Sequence, residues 1–355
     1  MVLAVPLHHV PDTLPFAPRP MRGELRTAWL HRVAAANVIT FPELLEAFAT
    51  RLPADLPEQV WFDDTLPPPV CERLAAWCRL APPAVAMLDV SCIYPLAGDD
   101  VWTIELEAWW HAGALTLDPS LRLVFCCLCL REQRHRGEPL HIRAEWALAW
   151  LTHCPRHRTW LLNDCWRCIR SDVLDFPAAR RTQLVCRFCS ASVDVPITAR
   201  PSSTLDEVFR FQQTLLACAS GQPVEPEWIG PCAPVVFLRL IRDLLSLLAS
   251  RDADGATVLA EYLPDRGSEF PRLRRCRSRH WVLLSIGERL SLLSAVVALL
   301  RGRGRRPRPG FRAEDPFQQL WPAMSTAQRD TVRRQARRWP PSIRRRVLTA
   351  SALSP

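Results

Sequence analysis

The sequence predicts a mainly α-helical chain with a metal-binding middle third, and three observations support this. Apolar residues recur at helical spacing on both sides of the centre. Four pairs of ligand-type side chains, each pair separated by two residues, crowd residues 126–189. Positive charge gathers late in the chain, in residues 301–310 and 333–346. A length of 355 residues exceeds one typical domain. The expected division is 1–100, an N-terminal helix-turn-helix-like helical domain; 101–200, a double metal-knuckle module with little β; and 201–355, a C-terminal helical region with a basic tail.

In the first region, residues 1–20 are Pro-rich and aperiodic, which reads as an extended leader. Leu25, Trp29, Val33 and Ala36 then mark a helix ending at Asn37, a residue able to close it in the left-handed conformation. Thr40 and Glu43 form a T-x-x-E capping box for a second helix through Leu44, Leu45, Phe48 and Leu52. A second helix pair follows at 70–80 and 84–88, with Leu74, Trp77 and Cys78 inward and Pro82-Pro83 suited to a first turn. Helix, short turn, helix is the outline of a helix-turn-helix unit, but it is also a common packing motif. Neither second helix is rich in Arg, which argues against groove reading by either.

The middle third carries Cys126-x2-Cys129, Cys154-x2-His157, Cys165-x2-Cys168 and Cys186-x2-Cys189. Two ligands separated by two residues turn a tight knuckle and fill two corners of a tetrahedral zinc site. Taken in order, the pairs predict two structural Zn2+ ions. Cys126, Cys129, Cys154 and His157 would hold one, and Cys165, Cys168, Cys186 and Cys189 the other. Four good ligands per ion close a site, whereas catalytic zinc keeps one corner for water. A disulfide framework belongs to small secreted domains, and Met1-Val-Leu-Ala-Val-Pro has no signal-peptide character. Cys127 lacks the x2 spacing to Cys129 that Cys126 has, while His135, His141 and His153 are further donors nearby, so His157 is the best donor rather than the only one. Cys71, Cys78, Cys92, Cys218, Cys232 and Cys276 lack a knuckle partner and read as small buried apolar residues. A short strand is expected at 101–106, a short helix at 145–151, and a small zinc ribbon around Val185 and Phe188.

Beyond Pro201, helices are expected over 205–218, 233–249 and 280–300, separated by turn-rich stretches at 221–231 and 264–271. Residues 301–310 form an Arg/Gly/Pro linker. A last helix starts at Ser325, with Gln328 completing a capping box, and runs to Trp339 before Pro340-Pro341 stops it. Arg329, Arg333 and Arg337 share a face of that helix, with Arg334 and Arg338 beside them. These five are the candidate nucleic-acid contacts, and a solvated face is the competing reading.

The formal net charge is +9, carried on the basic side by Arg alone, since the chain has no Lys. The guanidinium fork binds two phosphate oxygens at once, so the balance suits a polyanion. No apolar run is long enough to span a bilayer, and reduced thiols suit a cytoplasmic protein. No P-loop, Gly-rich dinucleotide motif, H-E-x-x-H or deaminase signature is present, so an enzyme is not expected.

Four landmarks together resemble the TniQ family of TnsD-type target-selection proteins. The segment 19–37 contains a Pro/Gly/Glu turn, Trp29-Leu-His-Arg32 and Ala34-Ala-Ala-Asn37, similar to the family's opening. Phe125-Cys-Cys-Leu-Cys-Leu130 resembles its F-C-P-x-C-L. Trp150-Leu-Thr-His-Cys-Pro-Arg-His157 resembles its W-x-x-x-C-P-x-H, and Cys165-Trp-Arg-Cys168 its next pair. Cys127 stands where Pro is usual, Ile169 where Gly is common, and the Ser expected after the opening Glu is missing. The resemblance covers roughly the first two hundred residues and implies a non-catalytic adaptor in DNA transposition. Its implied partners are DNA or a guide-RNA complex and an AAA+ ATPase regulator, with no membrane; pairing of two copies as a homodimer stays open. A zinc-ribbon transcription regulator, which would bind DNA without any transposition partner, is the alternative.

Overall fold

The computed structural model describes residues 12–50, 66–96, 124–162, 165–168, 174–175, 184–186, 188–193, 203–226, 228–249, 286–301 and 315–353. Residues 1–11 of the expected leader 1–20, the strand 101–106, the turn-rich 264–271, the helical start 280–285 and residues 302–310 of the linker lie outside these residues. The chain divides into two compact units. One comprises 1–98, 103–148 and 160–199; the other comprises 99–102, 149–159 and 200–355.

Helices dominate the first unit, as expected. They are α1 (Arg26–Ala36), α2 (Phe41–Ala49), α3 (Pro68–Trp77), α4 (Pro82–Ala86), α5 (Val90–Ile93) and α6 (Cys127–His135). The Thr40–Glu43 capping box is formed in full, satisfying two backbone donors at the start of α2. Trp29, Leu44, Phe48, Val70, Leu74, Trp77 and Val85 meet in one core, with Phe48 stacked on Trp77. Sequence reading placed the left-handed residue after α1 at Asn37. The structure places it one later, at Val38, with φ +59°. Asn37 instead spends its amide on the chain before α1, donating to the Phe16 carbonyl (2.6 Å) and accepting from the Phe16 amide (3.1 Å). The helix expected at 145–151 is only a 3-10 turn over Ala144–Ala147. Its start is drawn into pairing with the strand-like approach to α1, where Ala144 donates to Gly23 and Leu25 to Ile142 (both 2.8 Å).

Among the described residues the strands form one antiparallel ladder, β1 (Leu174–Asp175) with β2 (Val185–Cys186), in the register Leu174 to Cys186, beside isolated bridges such as Glu24 with Arg143.

The second unit carries α7 (Ser203–Ala219), α8 (Pro234–Ala249), α9 (Ile286–Arg301), α10 (Pro316–Ala323), α11 (Thr326–Ala336) and α12 (Pro341–Leu353). α9 is apolar nearly all round and is buried accordingly. Its Ser291 and Ser294 hydroxyls donate back to carbonyls one turn earlier, which removes them as orphan polar groups. The Ser325–Gln328 capping box opens α11 as expected, but the helix ends at Ala336 rather than Trp339. Pro341 then starts α12 instead of ending the helical region, because Pro at the first position of a helix needs no N–H partner. α5, α6, α10 and α12 are not among the helices the sequence pattern predicts.

Candidate metal centres and basic surface

Two sets of four side chains converge. The donor atoms of Cys126, Cys129, Cys154 and His157 lie within 4.8 Å of one another, and so do those of Cys165, Cys168, Cys186 and Cys189. These are the same partitions that the order of the pairs predicts. Cys127, adjacent in sequence, is buried but stands outside the set. His141 is engaged with Gln133, and His153 lies beside the Thr152 hydroxyl.

Each set contains one copy of the same loop. In Cys154-Pro-Arg-His157 the Cys154 carbonyl accepts from Arg158 (2.9 Å), and its amide donates to Thr159 (2.8 Å). In Cys186-x2-Cys189 the Cys186 carbonyl accepts from Ser190 (2.7 Å), and its amide donates to Ala191 (2.9 Å). Arg158 and Ser190, each four residues after the first donor, both adopt φ +56°. The left-handed residue reverses the chain so that both donors of the knuckle face one point.

The remaining pairs differ. Cys126 is the N-cap residue of α6 and Cys129 sits in its first turn, where helix amides favour thiolate. Phe125 and Leu162 exchange backbone bonds (2.8 Å each) just outside this set. In the second set the Cys165 and Cys189 sulfurs are 3.6 Å apart, as are those of Cys168 and Cys186. A disulfide needs about 2.05 Å, so these are not cross-links. Four sulfurs at about 2.3 Å from a common ion stand about 3.8 Å apart, so the arrangement fits a tetrahedral metal. In the first set the Cys154 sulfur and His157 Nδ1 are 3.7 Å apart, again near a tetrahedral edge. The core around the second set consists of Cys165, Cys186 and Ala191, with Cys168 and Cys189 packed against it. Among the described residues, Leu184, Val185 and Val193 are the other buried apolar side chains of this module, so its interior is small.

Among the other thiols, Cys71, Cys78 and Cys218 are buried as expected. Burial pushes Cys78 and Cys218 up to about 12, which makes them inert. Cys92 is exposed and Cys232 half-buried, contrary to the expectation of full burial.

The residues of the opening motif prove to be structural. Glu24 takes Arg32 in a two-pronged ion pair (2.7 and 2.6 Å) and also accepts from the Met21 amide (2.8 Å). Arg32 reaches the Arg19 carbonyl (3.1 Å), and the Trp29 indole donates to the Pro18 carbonyl (2.8 Å). Arg26, fully buried, pairs with buried Asp89.

The five candidate arginines are not equivalent. Arg329 turns inward along its own chain, donating to the Trp321 and Pro322 carbonyls (3.1 Å each) and so closing the end of α10. Arg333 is exposed, pairs with Asp330 and lies over the Trp321 ring. Arg334, Arg337 and Arg338 are exposed. α12, absent from the sequence reading, adds exposed Arg344 and Arg345.

Each of the two four-donor sets could hold a metal ion. Residues 15–161 are matched by the TniQ family model. The match takes in the first set and ends before the second. No curated protein matches the chain. No helix of the described residues is long and apolar enough to cross a membrane.

Proposed function

We propose that this protein is a non-catalytic target-selection adaptor of DNA transposition. It recognises DNA or a nucleic-acid-guided complex and recruits an AAA+ ATPase regulator of the transposase. The TniQ match over residues 15–161, with one complete four-donor set inside it, carries this reading. Both sets would hold zinc: sulfur and imidazole donors suit it, and four donors leave no corner for a reacting water. The ions would fix loops whose own core is slight, so that the surfaces around them keep one shape. The exposed arginines of α11 would bind phosphate, which positions a protein on nucleic acid without reading its sequence. The three regions 1–100, 101–200 and 201–355 would divide these tasks.

The recruitment step is tested by pull-down of the AAA+ ATPase encoded with the transposase of the same element, with and without target DNA. Retention of the ATPase is expected. A chain that binds DNA but never the ATPase would instead be a zinc-ribbon transcription regulator. Metal analysis should give about two zinc ions per chain, and a value near one or zero contradicts the paired sets. Cys165→Ser should unfold the second knuckle module, since a structural site is worth on the order of 10 kcal/mol. An unchanged melting curve would count against it.

A further inference from the structure

We propose that α12 is a reading helix that enters the major groove of duplex DNA through Arg344, Arg345, Leu348 and Thr349, while α11 lies across the phosphate backbone. The proposal rests on the nucleic-acid-binding reading above and adds the element, the residues and the class of ligand.

The first support is how α12 is held. The turn before it, 337–340, is pinned by Trp339, which is buried and donates its indole N–H to Asp243 on α8 (2.9 Å). Ser342 donates to the Ile229 carbonyl (3.0 Å). Arg346 grips the Asp315 carboxylate (2.6 and 3.1 Å) and the last carbonyls of α9 at Leu299 (2.6 Å) and Leu300 (2.8 Å). Ile343, Val347 and Ala350 are fully buried on the same side. The helix therefore has one orientation, and its outer face cannot roll inward without breaking these contacts. A preorganised face loses little freedom on binding.

The second support is what that outer face carries. Arg344, Arg345, Leu348 and Thr349 are exposed, Leu348 by 54 %. Arg344 and Arg345 lie in the first half of the helix, the part that meets base edges in helix-turn-helix proteins, whose preceding helix crosses the backbone, and Leu348 and Thr349 continue the same face one turn further on. Arg matches the O6 and N7 acceptors of guanine, and Leu and Thr methyls match the thymine methyl. α11, the helix that precedes it in the chain, supplies exposed Arg333, Arg334, Arg337 and Arg338.

Charge favours the same ligand. Residues 315–353 contain eight Arg and two Asp, a difference of six positive charges. Both acids are already engaged, Asp315 with Arg346 and Asp330 with Arg333. A single-stranded ligand fits less well, because stacking on unpaired bases needs exposed rings. The described aromatics of these helices, Phe317, Trp321 and Trp339, are buried.

The test uses the full zinc-loaded chain and a duplex library with a randomised central stretch. Selection by the wild-type protein should enrich a motif. Arg344→Ala combined with Arg345→Ala, both surface changes, should leave the melting curve in place and weaken the selected duplex roughly tenfold or more, with discrimination at one or two positions lost. Arg333→Ala combined with Arg334→Ala should weaken all duplexes alike and lower the salt slope by about two. An Arg344/Arg345 variant that enriches the same motif with the same affinity overturns the reading-helix assignment alone. Preference for single strands over duplex overturns it as well. A wild-type chain that binds neither duplex nor single strand removes the nucleic-acid reading on which it rests.

Discussion

α1 and the α11–α12 pair are both Arg-bearing helical segments, yet they use the guanidinium in opposite ways. On α1, Arg26 and Arg32 point inward and are buried against Asp89 and Glu24. On α11 and α12, Arg333, Arg334, Arg337, Arg338, Arg344 and Arg345 point outward, and of these Arg333 has an ion pair among the described residues. The difference lies in what stands nearby. α1 is surrounded by the chain that precedes it and by the turn before α5, each supplying a carboxylate. The late helices offer two carboxylates to eight arginines, so most of the charge remains for solvent or a ligand. A basic residue count therefore says little about polyanion binding until buried pairs are subtracted.

The sharpest way to break this comparison is to remove a buried carboxylate. Asp89→Ala should cost about 3–5 kcal/mol, because Arg26 loses its partner while staying out of water. Chemical denaturation measures it, and a loss under about 1 kcal/mol would mean that the pair is not sequestered. On the other side, Arg334→Ala or Arg338→Ala should move stability by no more than about 0.5 kcal/mol, as expected for exposed positions. A larger loss would make those arginines structural, as Arg329 and Arg346 are. A pH-dependent effect concerns His31, buried on α1 and stacked on Phe41 at 4.0 Å. Burial lowers its pKa to about 3 from the usual 6.5. The unfolded chain then takes up a proton in that interval while the folded chain does not, so stability is full above pH 6.5 and falls as pH drops towards 3. His31→Phe should flatten the slope relative to wild type. The comparison is made between the two proteins because acid acts on the thiol donors equally in both.

Legibility in the sequence followed range. Both capping boxes were readable, because three-residue spacing alone sets them. The two Cys/His sets were readable for the same reason, knuckle by knuckle, and chain order then paired them. α6 was hidden because Cys-Leu-Cys-Leu-Arg-Glu-Gln-Arg-His has no helical apolar stripe; its helix is closed locally and its Cys126 and Cys129 face the donor set. α12 was hidden by Pro340-Pro341, which reads as a stop or as a start depending on what packs beyond it. The clamp of Glu24 on Arg32 was invisible, since two charges eight residues apart look like surface residues until the approach to α1 folds back. The inward contacts of Arg329 are not legible because they depend on carbonyls at the end of α10, a helix the pattern does not reveal.

The bend between α1 and α2 has one more consequence. Val38 holds a conformation that branched side chains avoid, and its side chain is 63 % exposed. Nothing in its packing repays that discomfort, so the position is a reserve of easily recovered robustness. Val38→Gly should raise the thermal midpoint, the relief of roughly 1 kcal/mol exceeding the extra freedom given to the unfolded chain. Such a hardened background would let crippled variants elsewhere be purified and compared, turning an awkward bend into a laboratory tool.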